Sequence, residues 1–257
     1  MDMFELEKAS WLDVQIAAKV GENFGSIVGP DFKRNAKGDI LIDPSTGLPM
    51  YDKSNHVLGN ASWDWTGGVN TTLRYKNIAL SAVFDIKVGA DLYSMSARAS
   101  HESGKALATL EGREAWYKSE EQRMAAGYAK GSPDWTPTGG FIAPGVIDNG
   151  DGTYRPNDVI INPEDYWMSV CRNAPSMFIY DNSYVKCREI TLTYQFPKKW
   201  LGNGKVVKDV SLSFVARNPF IVCKNIPDID PDSNYNNTTG MGLEYGSLPS
   251  RRSYGFN

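Results

Sequence analysis

The chain has 257 residues, of which 41% are hydrophobic and 12% aromatic, and its formal net charge is −3. This length allows one large β domain or two smaller ones. The sequence has no basic stripe of the kind that nucleic-acid-binding proteins carry, which excludes that class of partner. Its 24 glycines, 13 tyrosines and 7 tryptophans favour β structure with many turns.

Neither a transmembrane helix nor a leader is predicted. No run of about 20 apolar residues occurs, which excludes a membrane-spanning helix. The first eight residues lack the basic start and apolar core of a signal peptide, so we expect a chain that stays inside the cell or is a piece of a longer one. Three cysteines (Cys171, Cys187 and Cys223) have no CxxC spacing, and one intramolecular disulfide stays open.

The first predicted elements are a strand and a small hairpin. Residues 12–20 indicate the strand, and a glycine-rich stretch follows at residues 21–29. Turn signals at residues 35–38 and 43–47 flank residues 39–42, of which the last three are apolar. We therefore expect a hairpin there that decorates the main sheet.

The clearest pattern is a pair of alternating strands about a tight turn at Lys76-Asn77. Odd positions from Trp65 to Tyr75 form one mainly apolar face with aromatic ends, and the alternation resumes after the turn, where only Val83 breaks it. Ten steps of roughly 3.3 Å, tilted by about 40°, cover roughly 25 Å, the height of the apolar band of an outer-membrane barrel. A half-buried strand of a soluble sandwich has the same period, so this pattern alone leaves both alternatives open.

Regular alternation is absent over residues 94–182. Within this stretch we expect a helix near residues 104–125, a hairpin turn at residues 148–153, and a helix that begins with Asn162 as N-cap and Pro163 at its first position. A connection of this length is usually functional.

Strands are predicted again at residues 184–196 and 210–222, and residues 251–257 begin like another strand. The connections alternate between short turns, at residues 76–77 and 197–209, and long polar stretches, near residues 94–182 and 224–247. Up-and-down outer-membrane barrels have short turns on the periplasmic side and long loops outside. The alternation therefore favours a barrel over a sandwich.

Several phrases, in this order and spacing over about residues 20–257, resemble the C-terminal part of SusC/RagA-type TonB-dependent outer-membrane transporters. They are LGNASWDWTGG at 58–68, YKN at 75–77, FDIKVGAD at 84–91, NPEDYW at 162–167, FIYDNSYVKCREITLTY at 178–194, ARN at 216–218, DIDPD at 228–232 and GSLPSRRSYGF at 246–256.

The resemblance implies a mainly β fold, an antiparallel up-and-down meander that forms part of a 22-stranded barrel with long extracellular loops containing short helices. It implies import of glycan or peptide nutrients across the outer membrane of a Gram-negative bacterium. The implied partners are TonB, through an N-terminal part not present here, and a SusD-type surface lipoprotein. We expect residues 1–257 to be a fragment of such a barrel. The alternative hypothesis is that the chain is a secreted or surface carbohydrate-binding β-sandwich.

Catalytic and metal sites are not predicted, and no cofactor is expected. Asp228, Asp230 and Asp232 have the spacing that begins a calcium loop, but Ser233 replaces the required glycine and Thr239 the final glutamate. The two histidines lack other ligands at metal spacing, and no Gly-x-Ser-x-Gly nucleophile motif occurs.

Two sets of residues are candidates for contact with a solute. Aromatic side chains in the first long loop suit sugar stacking or contact with a lipoprotein lid, although packing of the loop against itself is the alternative. Charged residues on the polar faces of the strands could line a solute path or pair across neighbouring strands. The aromatic candidates are Trp116, Tyr117, Trp135, Tyr166 and Trp167, and the predicted lumen-facing charges are Arg74, Asp85, Lys87 and Arg217.

Overall fold

The computed structural model describes residues 3–9, 13–204, 207–233 and 240–257. The fold is mainly β with antiparallel sheets, as the sequence predicts, and the sheets do not close into a complete barrel. The chain divides into two compact units. One contains Met1–Asn60, Tyr93–Ile179 and Leu243–Gly246, and the other contains Ala61–Leu92, Tyr180–Gly242 and Ser247–Asn257.

The strands are numbered in chain order. They are β1 (Met3–Ala9), β2 (Val14–Lys19), β3 (Ser26–Phe32), β4 (Tyr51–Asn60), β5 (Trp65–Tyr75), β6 (Ile78–Val88), β7 (Asp91–Ser94), β8 (Phe141–Ile142), β9 (Val146–Asp148), β10 (Tyr154–Pro156), β11 (Ile160–Ile161), β12 (Ile179–Asp181), β13 (Tyr184–Gln195), β14 (Ser211–Lys224), β15 (Leu243–Glu244) and β16 (Ser253–Phe256).

Helices occur mainly in the first unit. They are α1 (Met95–Glu102), α2 (Arg113–Ala125) and α3 (Pro163–Asn173), with 3-10 turns at Leu107–Leu110, Pro175–Phe178 and Lys198–Gly204. Within the described ranges, no helix combines the length and the apolar character needed to cross a membrane.

The first unit joins an antiparallel sheet, β1-β2-β3-β4, to the helices of the first long loop. Its core packs Phe32 of β3 and Phe141 of β8 with residues of α3, including Tyr166 and Val170. The residues predicted to be a long loop therefore fold around a buried core that they share with β3.

The second unit is built on a five-stranded antiparallel sheet in the order β16-β14-β13-β6-β5. β5 and β6 pair without interruption from Trp65 opposite Val88 to Tyr75 opposite Ile78, as the predicted hairpin requires. Lys76, the first of the two central residues of the turn, has a φ of 53°, and a positive φ at this position is typical of two-residue hairpin turns. The predicted strands at residues 184–196 and 210–222 are confirmed as β13 and β14.

The capped helix and the second hairpin turn are also confirmed. Asn162 accepts a hydrogen bond from the Glu164 amide at 3.0 Å, and Pro163 begins α3. β9 and β10 pair across the predicted turn. The strand predicted at residues 12–20 is β2, at Val14–Lys19.

Two predictions needed correction. The helix predicted over residues 104–125 is divided, because Gly112 has a φ of 75°, which an α-helix cannot contain, so α2 begins at Arg113. Residues 39–42 form isolated bridges to Arg34, Pro49 and Val146 and not a regular hairpin.

Three of the longer strands, β1, β3 and β4, were not predicted. β3 contains Gly29 and Pro30, which normally argue against a strand. A Cβ at Gly29 would lie 2.8 Å from the carbonyl oxygen of Asp13, so close packing explains the glycine. β1 and β4 are rich in charged and polar residues, which hides their strand character.

Candidate functional site

The five-stranded sheet has one apolar and one polar face, and its register keeps each face continuous across the strands. Val69 lies opposite Phe84, and Ile190 lies opposite both Ala82 and Ala216. The apolar face is open: Leu73 is 67% exposed. Its other large side chains that are more than a third exposed are Trp65, Val69, Tyr75, Ile78, Leu80, Val88, Leu192, Leu212, Phe220, Tyr254 and Phe256.

The opposite face carries hydroxyl pairs between neighbouring strands. Thr72 and Ser81 are joined by a 3.0 Å hydrogen bond, and Thr193 and Ser213 by one of 2.8 Å. These contacts satisfy hydroxyl groups on the polar face. The sheet therefore has an apolar surface on one side and a polar surface on the other.

Two of the four predicted lumen-facing charges pair across neighbouring strands. The Arg217 guanidinium lies 3.3 Å from Glu189 on β13, and Asp85 accepts hydrogen bonds from Arg188. Lys87 instead lies 5.3 Å from the ring centroid of Trp63, and Arg74 is exposed on β5. The contact of these four charged residues with a transported solute stays a prediction.

A dense ionic cluster joins β13 to the segment that follows β14. The Lys186 ammonium, only 2% exposed, lies 3.1 Å from Asp230 Oδ1 and 2.5 Å from Asp232 Oδ2. Lys186 also donates to Ser250 Oγ at 2.5 Å. One buried cation thus binds two carboxylates and a hydroxyl that come from two later segments.

Arg188 completes the cluster. Its guanidinium donates to both oxygens of Asp232, at 2.5 and 2.8 Å, and to Asp85 of β6. The Tyr184 hydroxyl donates to Asp232 Oδ1 at 2.8 Å. We call this set the ion-pair clamp; its residues are Asp85, Tyr184, Lys186, Arg188, Asp230, Asp232 and Ser250.

The clamp keeps its loop carboxylates ionised. Burial by itself would raise the pKa of Asp232, but hydrogen bonds from Arg188 and Lys186 outweigh burial and hold that pKa well below its usual range. The pKa of Asp230 is lowered too, because bonds from Ser250 and Lys186 oppose the effect of burial. Both loop acids therefore act as permanent anions at neutral pH.

Two of the three aspartates with calcium-loop spacing are engaged in ion pairs. Asp230 and Asp232, which have calcium-loop spacing, direct their oxygens at Lys186 and Arg188. In the described part of the chain, no group of three or more His, Cys, Asp or Glu side chains is placed to hold a metal ion.

In the first unit, three of the aromatic candidates line one open cleft of about 490 Å³. Tyr117 is 60% exposed, Trp116 is half-buried, and Trp167 is 92% buried. His101 packs against Trp167 with a ring-centroid distance of 4.7 Å and an angle of 44° between the rings. Arg113, Lys130 and several glutamates also line the cleft, so it offers stacking surfaces beside charges of both signs.

The other two aromatic candidates lie elsewhere in the first unit. Tyr166 is 4% exposed and belongs to its core, where burial raises its pKa to about 12. Trp135 packs on Tyr128 at 5.7 Å. Packing within the unit thus accounts for Tyr166 and Trp135, and the role of the cleft residues in ligand contact stays a prediction.

Sequence reasoning missed Lys186 and Arg188 as central residues. Both are at even positions of β13, where Ile190 and Leu192 face the apolar side. A signal was nevertheless present, because two cations cannot occupy the apolar face of an alternating strand without a change of register.

No protein-family model matches the sequence. TonB-dependent receptor P3 of Formosa agariphila is 24% identical over 227 residues, which cover 84% of this chain and 18% of that receptor.

Solved structures of the RagAB peptide importer have the same fold over 99% of this chain. The TM-score is 0.57 at 14% identity for its 'closed-closed' state and 0.53 at 15% identity for its 'open-open' state. The chain covers 24% and 23% of those importer chains, so it spans a quarter or less of the proteins that it matches. The predicted resemblance to SusC/RagA-type TonB-dependent transporters is confirmed.

Proposed function

We propose that this chain forms part of the wall of a TonB-dependent outer-membrane transporter that imports glycan or peptide nutrients. The observation that carries the proposal is the exposed apolar face, with Trp65 and Tyr75 at its two ends, behind a polar face lined by hydroxyl pairs. Lipid on one side and water on the other satisfy both faces at once. The similarity to a TonB-dependent receptor supports the same function.

The resemblance also supplies the proposed location and partners. We place the chain in the C-terminal part of the transporter, in the outer membrane of a Gram-negative bacterium. A SusD-type surface lipoprotein would contact the extracellular side, and TonB would act through the rest of the protein. Transport of this kind consists of binding and release, so the proposal includes no catalytic step.

A carbohydrate-binding β-sandwich is not favoured. A sandwich buries the apolar face of each sheet against the other sheet. Here Leu73 and Tyr75 remain 67% and 71% exposed, and the exposed apolar residues continue through β14 and β16. The exposure is the opposite of what a sandwich requires.

Single cysteines in the full transporter can test the orientation of the sheet. Leu80→Cys lies on the apolar face, and its neighbour Ser81→Cys lies at the same depth on the polar face. Cys223 is exposed and is replaced by serine in both variants, whereas Cys171 and Cys187 are buried. In intact outer membranes, we expect a charged thiosulfonate to label Ser81→Cys and an apolar maleimide to label Leu80→Cys.

The two neighbouring positions are controls for each other. Equal labelling of both by the charged reagent would show water on both faces and would overturn the wall assignment. Recovery of the protein outside the outer-membrane fraction would overturn it as well.

A further inference from the structure

One end of the five-stranded sheet is strongly basic, although the net charge of the chain is −3. This is the end with short turns, formed by residues 74–78 and 194–210, which contain six basic residues and one acidic residue, Asp209. Lys205 lies outside the described residues. The other five are all exposed: Arg74, Lys76, Lys198, Lys199 and Lys208.

These five cations have no ion-pair partner among the described residues. Lys76 lies 5.2 Å from the ring centroid of Tyr75, which is a cation–π contact and leaves the ammonium exposed. By contrast, at the other end of β13 Lys186 is saturated by carboxylates. The positive charge of the short-turn end is therefore available to an external anion.

Aromatic side chains mark the same level of the sheet. Tyr75 and Tyr194 both lie opposite Ile78, so they share one row across three strands. Tyr194 packs on Phe196 at 5.1 Å, and Phe196 packs on Trp200 at 6.1 Å. Trp200 is 68% exposed. The apolar face thus ends in a row of aromatic rings directly beside the cations.

We propose that this basic rim, defined as Arg74, Lys76, Lys198, Lys199, Trp200 and Lys208, binds the phosphate headgroups of anionic phospholipids. The inference rests on the proposed function, because it needs the apolar face to lie in lipid.

The position of the rim identifies the anion. Tyrosine and tryptophan rings at the end of a membrane-facing strand lie at headgroup level, and lipid phosphates lie at the same level. Short turns face the periplasm in outer-membrane barrels, so the lipid is a phospholipid of the inner leaflet. Each lysine near an anionic bilayer surface strengthens the attraction by about fivefold, and salt screens it over about 10 Å at 0.1 M.

The test measures lipid enrichment at the rim in the full transporter. A fluorophore is attached to Val207→Cys, an exposed position in the same turn, in a protein without other reactive cysteines. The protein is reconstituted into phosphatidylcholine vesicles of two kinds, each with a small fraction of a lipid that carries a nitroxide near its headgroup. The nitroxide-labelled lipid is phosphatidylglycerol in one kind and phosphatidylcholine in the other. At equal mole fraction, we expect nitroxide-labelled phosphatidylglycerol to quench the fluorophore several-fold more than nitroxide-labelled phosphatidylcholine does.

Removal of three of the five described rim cations should weaken this preference strongly. In K198Q/K199Q/K208Q, the difference in quenching between the two lipids should fall several-fold, and for the wild type it should disappear in 1 M salt. The control K37Q/K53Q/K118Q removes the same charge from exposed lysines of the first unit and should keep the preference. A heat-dependent change of gel mobility confirms that each variant is folded.

Three outcomes would overturn the inference. Equal quenching by both lipids in the wild-type protein would show that the rim has no headgroup preference, and an equal loss in the control triple would show that only net charge matters. Neither of these two outcomes would contradict the proposed membrane wall. A folded protein that does not insert into vesicles would overturn the proposed function together with the rim.

Discussion

Lys186 Nζ lies 2.5 Å from Asp232 Oδ2 and ties strand β13 to a segment 46 residues further along the chain. Both groups are largely withdrawn from water, since their side chains are 2% and 23% exposed. A buried ion pair of this kind is costly to break, because removal of one partner leaves the other charge buried without compensation. The clamp therefore fixes the loop after β14 against the sheet.

Replacement of Lys186 by methionine should destabilise the protein strongly. Asp230 and Asp232 would each lose a cationic partner while Arg188 binds only one of them. We expect the free energy of unfolding, measured by urea titration in detergent micelles, to fall by about 3–5 kcal/mol.

Arg217→Gln provides the matched control. It also removes one cation from a cross-strand ion pair, but Arg217 and Glu189 are 68% and 39% exposed, so the loss should be about 1 kcal/mol or less. If both variants lose the same free energy, burial does not determine the strength of the clamp.

The clamp should also make stability depend on pH on the acid side. The pKa of Asp232 is lowered in the folded protein from an ordinary value of 3.8, so the folded state favours the ionised form. The resulting stabilisation is fully present above the ordinary pKa and is lost as pH falls below it towards the folded-state pKa.

Urea titrations between pH 6 and 2 test this dependence. Asp232→Asn should be less stable than the wild type at pH 6, and the difference should shrink as pH falls below about 4. A difference that stays constant over this range would show that the ionised carboxylate is not the stabilising group.

A strand can be predicted from the sequence when apolar and polar residues alternate along it. β5 and the beginning of β6 were predicted nearly to the residue because their apolar and polar positions alternate, and the Lys76-Asn77 turn fixes their register. β3 was missed because Gly29 and Pro30 interrupt it, and the contact that requires Gly29 is visible only in three dimensions.

The clamp shows why part of the site escaped prediction. Lys186 and Ile190 have the same parity, so simple alternation puts both on the apolar face. The register of β13 shifts between Cys187 and Glu189, and Arg188 has no partner position on either neighbouring strand. This bulge turns Lys186 towards Asp85 on the polar face. The position of the bulge depends on the pairing of β13 with β6 and β14, which the local sequence does not specify.

Arginine placed at mid-height on the sheet should distinguish its two faces. Val69 and Asn70 are neighbours near the middle of β5, and they lie on the apolar and the polar face. Val69→Arg puts a charge into lipid, which costs about 2–4 kcal/mol near the bilayer midplane. We expect a large loss of folded transporter in outer membranes, measured by heat-dependent gel mobility.

Asn70→Arg is the control, because it introduces the same side chain one residue away. It should assemble to nearly the wild-type level, since water solvates the charge on the polar face. Similar assembly of the two variants would contradict a lipid-facing surface on this side of the sheet.

The aromatic residues of the cleft should separate into structural and contact roles. Trp167 is 8% exposed and packs edge-on against Tyr166 at 5.2 Å, so Trp167→Ala should lower the free energy of unfolding by about 3–5 kcal/mol. Tyr117 is 60% exposed, so Tyr117→Ala should change the free energy of unfolding by no more than about 0.5 kcal/mol.

Uptake then tests contact with a ligand. Cells that carry the full transporter with Tyr117→Ala are given a pool of labelled oligopeptides or oligosaccharides, and uptake is compared with that of the wild type. A loss of uptake at unchanged stability is expected if the cleft contacts the nutrient or a lipoprotein lid, because exposed aromatic rings offer a stacking surface. Wild-type uptake by both Tyr117→Ala and Trp116→Ala would show that the cleft contributes only to packing of the first unit.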